Sequence, residues 1–288
     1  DVPPTLDAQM DRRVLEVAVG ADVTLRGLTI INGRHADKAG AILNRGTLTV
    51  AECTFSGNTA VGEVGLTALG GAIANYGSLT VTDSTFANNS VGSIFPGVVV
   101  PGRGGAIYSA PGASLAVTGS VLTVNAADDG VRGENLSVDG GDLLVFAAND
   151  ALKSTGNAEG SGVVALNGGS MDLISAGDGV QAERLLVVRG GHVSVLSGGG
   201  HTVVPNDDST KGLKADVELV VEGGTVVVDA SDDAVHSDGD IRILGGHLTL
   251  ATGDDAVHAD GSLLIAGITA YGRAISEVGI AMMIGGNI

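Results

Sequence analysis

A five-residue phrase recurs through the second half of this chain and constrains its fold more than any other feature. Each copy has an acidic or polar residue, Gly or Ala, an aliphatic residue, one long polar residue and usually a small residue. The copies begin at Asp129, Asp150, Asp178, Lys211, Asp233 and Asp255, with a weaker copy at Arg273. Their first residues lie 21, 28, 33, 22, 22 and 18 positions apart. A period of twenty-odd residues that tolerates insertions is typical of a solenoid, in which equivalent residues stack into columns.

The first half carries a related repeat. Segments 39–50, 70–81 and 104–117 each begin with Gly-Ala-Ile and continue into a stretch that alternates polar and apolar residues, as in Thr47–Val50 and Ser78–Val81. Alternation with period two predicts short strands with one buried face. Strands this short are stable only when they pair, and coiling lets each pair with its equivalent one turn away. The sequence therefore predicts an all-β, single-stranded, right-handed parallel β-helix, since parallel crossovers are right-handed.

Glycine pairs mark one corner of the later turns of this coil. They are Gly140-Gly141, Gly168-Gly169, Gly190-Gly191, Gly223-Gly224, Gly245-Gly246 and Gly285-Gly286. In four repeats the motif acid follows nine residues after the second glycine, which places these acids at one common corner. No linker interrupts the alternation near residues 120–124. We therefore expect one continuous solenoid, with longer-turned rungs over 1–125 and a second rung type over 126–288.

Composition narrows the class of protein. The chain has 47 Gly, no Trp and few other aromatic residues, yet 44% of its 288 residues are hydrophobic, which suits a narrow aliphatic core. A net charge of −18 makes nucleic acid a poor partner and suits divalent cations, although solubility explains it equally well. No apolar run is long enough for a transmembrane segment. The single cysteine, Cys53, excludes an internal disulfide.

The acidic corner is the first candidate site. Carboxylates repeated at rung spacing repel one another, and Ca²⁺ relieves that repulsion by accepting six to eight oxygen ligands. The predicted calcium ligands are Asp128, Asp129, Asn149, Asp150, Asp178, Asp232, Asp233, Asp254 and Asp255. The alternative is that Asp simply stabilises turns by bonding to its own backbone.

The residue after each motif aliphatic forms the second candidate site. Because the aliphatic side chain points inward, the next side chain points outward. The predicted ligand-binding column is Arg132, Lys153, Gln181, Lys214, His236 and His258. A row of long donors beside a metal-bearing corner suits a regular polymer rich in hydroxyl and carboxylate groups. The alternative is a solvated outer face.

The motif phrases between about 127 and 286, in their order and with their glycine pairs, resemble the carbohydrate-binding-domain-containing β-helix proteins secreted by biomass-associated bacteria. The resemblance implies calcium bound by the turn acids and non-catalytic binding of plant-wall polysaccharide such as cellulose or pectate. It also implies a distant likeness to pectate lyases. The first 125 residues look like the Gly-Gly-Ala-Ile repeats of bacterial surface β-helix proteins and adhesins.

We therefore expect an extracellular or cell-surface, calcium-binding β-helix that binds a pectate- or cellulose-like polysaccharide. One alternative is a calcium-dependent pectate lyase-like enzyme, with Lys153, Lys211 or Lys214 as the base that removes the proton alpha to a uronate carboxylate. Another is a structural surface or filament subunit that associates end to end, because a solenoid exposes unpaired strands at its ends.

Overall fold

The computed structural model describes residues 2–62, 67–93, 102–110, 113–119, 121–126, 129–204, 209–266, 274–276 and 282–284. Within these residues all regular elements are strands. Those of the first half are β1 (Thr5–Asp7), β2 (Leu15–Val17), β3 (Asp22–Arg26), β4 (Thr29–Ile31), β5 (Arg34–Ala36), β6 (Ile42–Asn44), β7 (Thr47–Ala51), β8 (Thr54–Ser56), β9 (Thr59–Gly62), β10 (Ala68–Leu69), β11 (Ile73–Asn75), β12 (Ser78–Thr82), β13 (Thr85–Ser93), β14 (Gly102–Arg103), β15 (Ile107–Ser109), β16 (Ser114–Thr118) and β17 (Val121–Ala126).

The strands of the second half are β18 (Val131–Gly133), β19 (Leu136–Ala147), β20 (Leu152–Ser154), β21 (Val163–Ser175), β22 (Val180–Ala182), β23 (Leu185–Val188), β24 (His192–Ser197), β25 (Leu213–Ala215), β26 (Glu218–Val221), β27 (Thr225–Ala230), β28 (Val235–Ser237), β29 (Asp240–Ile243), β30 (His247–Thr252), β31 (Val257–Ala259), β32 (Leu263–Ala266), β33 (Ala274–Ser276) and β34 (Met282–Ile284).

One face of the solenoid contains both kinds of repeat. Its eleven three-residue strands pair in parallel in the order β2-β6-β11-β15-β18-β20-β22-β25-β28-β31-β33. The Gly-Ala-Ile phrases of the first half and the acid-containing phrases of the second half thus share one sheet, which we call the motif sheet. Its pairing crosses residue 126 through β15 and β18, where Tyr108 lies opposite Arg132.

Two further rows of parallel strands run along the coil, and the first half adds the short row β5–β9–β13 and the pair β10–β14. One row runs from β3 and β7 through β12, β16, β23, β26, β29 and β32 to β34; the other runs from β1 through β4, β8, β13, β17, β24 and β27 to β30. The long strands β19 and β21 belong to both rows. The predicted parallel β-helix is confirmed. No helix within the described residues is long and apolar enough to cross a membrane.

The core is a stack of aliphatic columns, as the composition predicted. Leu136, Val164, Leu186, Leu219, Ile241 and Leu263 form one column in which every member is buried. In the first half, the buried rings of Phe55 and Phe86 stack with centroids 4.6 Å apart. Each buried side chain of this size contributes about 1.5–3 kcal/mol relative to an exposed one. Cys53 is buried in the same core.

The glycine corner is tight for two reasons. Gly169 and Gly191 have φ values of 93° and 86°, a conformation that side chains rarely adopt. In addition, a Cβ atom on Gly191 would lie 2.6 Å from the carbonyl oxygen of Gly169, one rung away. This corner therefore fixes the register of successive turns, and with it the position of the acids nine residues later.

Candidate functional site

The motif sheet stacks the six long polar residues into one column, as their spacing predicted. Parallel pairing places Arg132 opposite Lys153, Lys153 opposite Gln181, Gln181 opposite Lys214, Lys214 opposite His236 and His236 opposite His258. We call this the donor column. The aliphatic residue before each member is buried, so the column faces away from the core. His236 differs from the solvated outer face that was the alternative interpretation, because its neighbours bury all but 8% of it.

The motif acids form a second column beside it, the inner acid column. Its members are Asp129, Asp150, Asp178, Asp233 and Asp255, and all are buried. The carboxylates of four of them each accept the backbone N–H of the equivalent residue in the next rung: Asp129, Asp150, Asp178 and Asp233. For example, the amide of Asp178 donates to Asp150 Oδ1 at 2.8 Å, and the amide of Asp255 donates to Asp233 Oδ1 at 2.9 Å. These acids therefore continue the hydrogen-bond ladder around the corner.

The donor column supplies the countercharge for several of these acids. Arg132 forms an ion pair with Asp129, and the Lys153 ammonium lies 2.6 Å from Asp150 Oδ2. Lys153 also donates to Gln181 Oε1. Sequence reasoning treated the carboxylates and the donors as separate columns with separate ligands. In the structure Arg132 and Lys153 each pair with the acid three positions earlier in the same motif. Their long side chains fold back toward the acidic corner.

Lys211 interrupts the inner acid column. It occupies the position of the motif acid between Asp178 and Asp233, and its amide donates to Asp178 Oδ1 at 2.7 Å. Its ammonium donates to Asp232 of the next rung. Burial lowers the pKa of Lys211, but the hydrogen bond and charge of Asp232 outweigh burial, so the pKa is raised overall. Lys211 is therefore a fixed cation at neutral pH.

Asp178 has no cationic partner within its own motif, because that motif has Gln181 in the donor column. Burial and then the charge of Asp150 raise the pKa of Asp178, while a hydrogen bond from Ser209 opposes that rise. The nearby Lys214 is the cation that favours its ionised form. Within the described part of the chain, no hydrogen bond or ion pair restrains the Lys214 ammonium.

The residues that precede the motif acids lie further out. Asn149 donates to Asp129 Oδ1 at 2.8 Å, whereas Asp128 lies outside the described residues. Asp232 and Asp254 each offer a carboxylate oxygen within 4.8 Å of the other and of Asp233. An all-oxygen set of three carboxylates fits Ca²⁺. Asp129 and Asp150 fit it less well, since both oxygens of each already accept protein donors, whereas Asp232 accepts the Lys211 ammonium through Oδ2 only.

A second row of acids flanks the donor column on its other side. Two positions after each donor come Glu134, Glu183, Asp216, Asp238 and Asp260, with Thr155 in the remaining rung. Burial raises the pKa of Asp216, and its Oδ1 atom is buried with no hydrogen-bond partner among the described residues. Sequence reasoning missed this row, which we call the outer acid column. The sequence pattern that would have revealed it is an acidic residue directly after the five-residue phrase in most copies.

The two histidine rungs form the most compact cluster of the donor column. Asp233 Oδ2 lies 2.8 Å from His236 Nδ1 and 3.2 Å from His258 Nδ1. The opposite ring nitrogens face the outer acid column, with His236 Nε2 at 2.9 Å from Asp238 and His258 Nε2 at 3.4 Å from Asp260. Burial lowers the pKa of His236, but the hydrogen bonds with Asp233 and Asp238 outweigh burial and raise it overall.

An open polar depression of about 470 Å³ lies where the acidic corner meets the donor column. Its polar lining residues are Asn149, Asp150, Lys153, Asp178, Gln181, Ser209 and Lys214. It contains three consecutive members of the predicted ligand-binding column, Lys153, Gln181 and Lys214. The depression contains carboxylates and ammonium groups close together. It can therefore donate hydrogen bonds to hydroxyl groups and accept hydrogen bonds from them, and Lys214 can bind a carboxylate.

An apolar groove of about 760 Å³ adjoins this depression, and both are lined by Ala148 and Ala176. Its floor is the outward column of Phe146, Ile174 and Leu196, which pair across β19, β21 and β24. Phe146 is 40% exposed. Sequence reasoning missed the groove. The sequence does contain a pattern that predicts the groove. In three successive rungs an apolar residue, and not the polar residue expected from alternation, follows a buried one: Val145-Phe146, Leu173-Ile174 and Val195-Leu196.

Comparison with known proteins agrees with this geometry. A family model described as carbohydrate-binding domain-containing protein matches residues 99–256, more than half of the chain. The chain belongs to this family. Membership supports carbohydrate binding in general, and the matched residues include every lining residue of the polar depression and of the apolar groove. The match begins before residue 127, where the motif phrases first appear, and the motif sheet pairs β15 with β18 across that point.

Residues 52–76 and 83–110 match the Chlamydia polymorphic membrane protein repeat. This match covers the second and third Gly-Ala-Ile phrases and agrees with their resemblance to repeats of surface proteins. No curated protein and no solved structure is significantly similar to the chain.

Proposed function

We propose that this protein binds polysaccharide without cleaving it, at the polar depression and the adjoining apolar groove, outside the cell or on its surface. The observation that carries the proposal is the continuity of the two surfaces. A sugar ring has an apolar face and a polar rim, and binding sites for such ligands combine apolar lining with a few placed polar groups. Phe146 and Ile174 suit the ring face, while Lys153, Gln181 and Lys214 suit the rim.

The charge of the depression favours a uronate polymer of the pectate type over a neutral polymer of the cellulose type. Lys214 is the cation of the depression that no described side chain holds, so a ligand carboxylate can pair with it without displacing a protein group. Lys153, by contrast, is already bound to Asp150 and Gln181. We therefore assign carboxylate binding to Lys214 and hydroxyl binding to Gln181.

Calcium has a defined place in this proposal. Asp232, Asp233 and Asp254 would hold the ion, because together they supply three carboxylate oxygens at one partly exposed corner. When bound, calcium would offset the local negative charge and could bridge a uronate carboxylate to the protein. Asp129 and Asp150 keep their fixed cations and are expected to contribute little to calcium binding.

The test is a pull-down against pectate gel and microcrystalline cellulose, with calcium and with EGTA, followed by titration calorimetry with soluble oligomers. Glutamine already occupies the equivalent position of the preceding rung, at Gln181, so we expect Lys214→Gln to fold. We expect pectate affinity to fall at least about tenfold for Lys214→Gln, as for loss of a charge-assisted hydrogen bond. Arg12→Gln, which removes an exposed cation far from the depression, is the matched control. Equal loss in both variants would mean non-specific charge attraction.

The lyase alternative requires a neutral lysine as base. Lys211 does not suit that role because its pKa is raised, and Lys153 donates its protons to Asp150 and Gln181. Following the ultraviolet absorbance of unsaturated ends during incubation with pectate and calcium separates the two functions. Steady product formation would contradict binding without cleavage. End-to-end self-association stays a prediction, which electron microscopy of the purified protein tests directly.

A further inference from the structure

The two histidine rungs repeat one phrase, Asp-Asp-Ala-Val-His, followed by a small residue and Asp, at 232–238 and 254–260. In the earlier rungs the same donor position is Arg, Lys or Gln, none of which is a common metal ligand. Histidine in two successive rungs brings two imidazoles together, with ring centroids 4.9 Å apart. The phrase therefore concentrates metal-binding side chains at one end of the donor column.

We propose that Asp233, His236 and His258 form a binding site for a divalent transition metal, with Zn²⁺ as the ion that fits best. One ligand atom of each residue lies within 4.8 Å of the others. At bond lengths of about 2.0–2.1 Å, tetrahedral ligands lie about 3.3 Å apart. The separations of 2.8 Å and 3.2 Å between Asp233 Oδ2 and the two Nδ1 atoms are close to that value. The two imidazole ligand atoms lie within 4.8 Å of each other and would move closer together on binding.

The far side of each imidazole supplies an independent argument. Histidine ligands of zinc usually donate the other ring N–H to a carboxylate, which fixes the tautomer and the ring orientation. Here Asp238 lies 2.9 Å from His236 Nε2, and Asp260 lies 3.4 Å from His258 Nε2. With its Nε2 donating to Asp238, His236 would present its Nδ1 lone pair toward Asp233. Asp238 thus orients the His236 ring for a metal, and Asp260 lies on the equivalent side of His258.

Charge and geometry also favour an ion of this kind. Four carboxylates surround the two imidazoles, namely Asp233, Asp238, Asp255 and Asp260. Asp255 Oδ2 lies 3.9 Å from His258 Nδ1 and is the nearest carboxylate for a fourth ligand. Nitrogen donors select zinc over calcium, which prefers oxygen.

The site is distinct from the calcium site of the proposed function, although both use Asp233. The histidines belong only to the transition-metal set, and Asp232 and Asp254 belong only to the oxygen set. Removing the imidazoles should therefore abolish zinc binding and leave calcium affinity unchanged. Failure of one proposal does not entail failure of the other.

The experiment is titration of the metal-free full chain with Zn²⁺ by calorimetry, and with Co²⁺ by visible absorption. We expect one Zn²⁺ per chain and a Co²⁺ spectrum with the intense bands of a tetrahedral site. His236→Gln and His258→Gln each copy the residue present at Gln181 in the same column. Each should lower zinc affinity at least about tenfold, as should the exposed-acid variants Asp238→Asn and Asp260→Asn. His247→Gln, at an exposed histidine outside the cluster, is the control.

Zinc binding of equal strength in the wild-type chain and in both donor-column histidine variants would overturn the proposal, since it would show adventitious binding to the acidic surface. No zinc binding, or a cobalt spectrum typical of six oxygen ligands, would overturn it as well. If a histidine variant does not fold, as judged by circular dichroism, the two exposed-acid variants decide the question, because Asp238 is about half exposed and makes no contribution to the core.

Discussion

Replacing Lys153 by Met tests whether the donor column or calcium neutralises the inner acids. The Lys153 side chain is 16% exposed and that of its partner Asp150 is 5% exposed, with 2.6 Å between the charged atoms. Met keeps most of the aliphatic stem but leaves the Asp150 charge buried without its cation. Breaking a buried pair in this way costs about 3–5 kcal/mol. The carboxylate still accepts the Asp178 amide, so we expect the lower end of that range.

The assay is urea unfolding followed by far-ultraviolet circular dichroism, in EGTA and again in millimolar calcium. The double variant Asp150→Asn/Lys153→Met removes both charges and keeps the acceptor for the Asp178 amide, so it should lose less stability than Lys153→Met alone. Arg26→Met is the control, because Arg26 and Glu52 form an exposed pair worth about 0–1 kcal/mol. A loss below about 1 kcal/mol for Lys153→Met, or full recovery of its stability by calcium, would refute the reasoning.

Three further outcomes are expected. Gly191→Ala should lower the free energy of unfolding by about 2–5 kcal/mol, because it places a Cβ atom on a residue with positive φ and against the Gly169 carbonyl. The control is Gly20→Ala, where φ is similar but the space is open; it should cost about 1–2 kcal/mol in the same denaturation assay. Phe146→Ser should weaken pectate binding in calorimetry while the melting temperature stays within a few degrees, since this ring is 40% exposed; unchanged affinity would exclude the apolar groove from the site. Burial raises the pKa of Asp216 above its unfolded value, so its cost to stability is absent below the unfolded pKa and complete above the folded pKa. Asp216→Asn should therefore raise the melting temperature at pH 7, and a scan toward acid pH should show that gain shrink.

Much of the architecture is predictable from the sequence because it depends on spacing. The alternation in Thr47–Val50 shows which side chains face the core, and the nine-residue interval from glycine corner to motif acid shows which residues are equivalent. Parallel pairing then places equivalent residues opposite one another in adjacent rungs. The structure confirms that the donor column is in register from Arg132 to His258. The register of backbone pairing follows from residue spacing, so it can be predicted without knowledge of any side-chain contact.

The chemistry of the site is less predictable because it depends on side-chain direction and local charge. Spacing could not show that Lys153 folds back onto Asp150 instead of pointing to solvent, nor that Asp238 reaches the far nitrogen of His236. The predicted calcium corner consequently divides into rungs that carry their own cation and rungs that do not. The apolar groove at Phe146 was missed because an outward apolar residue is common on any surface and gains meaning only from its neighbours in adjacent rungs.

The coil also determines how this surface can change. Every full turn contributes one residue to each column, so duplicating residues 233–254 would add a whole turn without disturbing the register of the others. Such an insertion would extend the run of stacked imidazoles from two to three and lengthen the molecule by about 4.8 Å. Capacity for ions would then grow in steps of one turn, and the length of polymer that fits along the flank would grow with it.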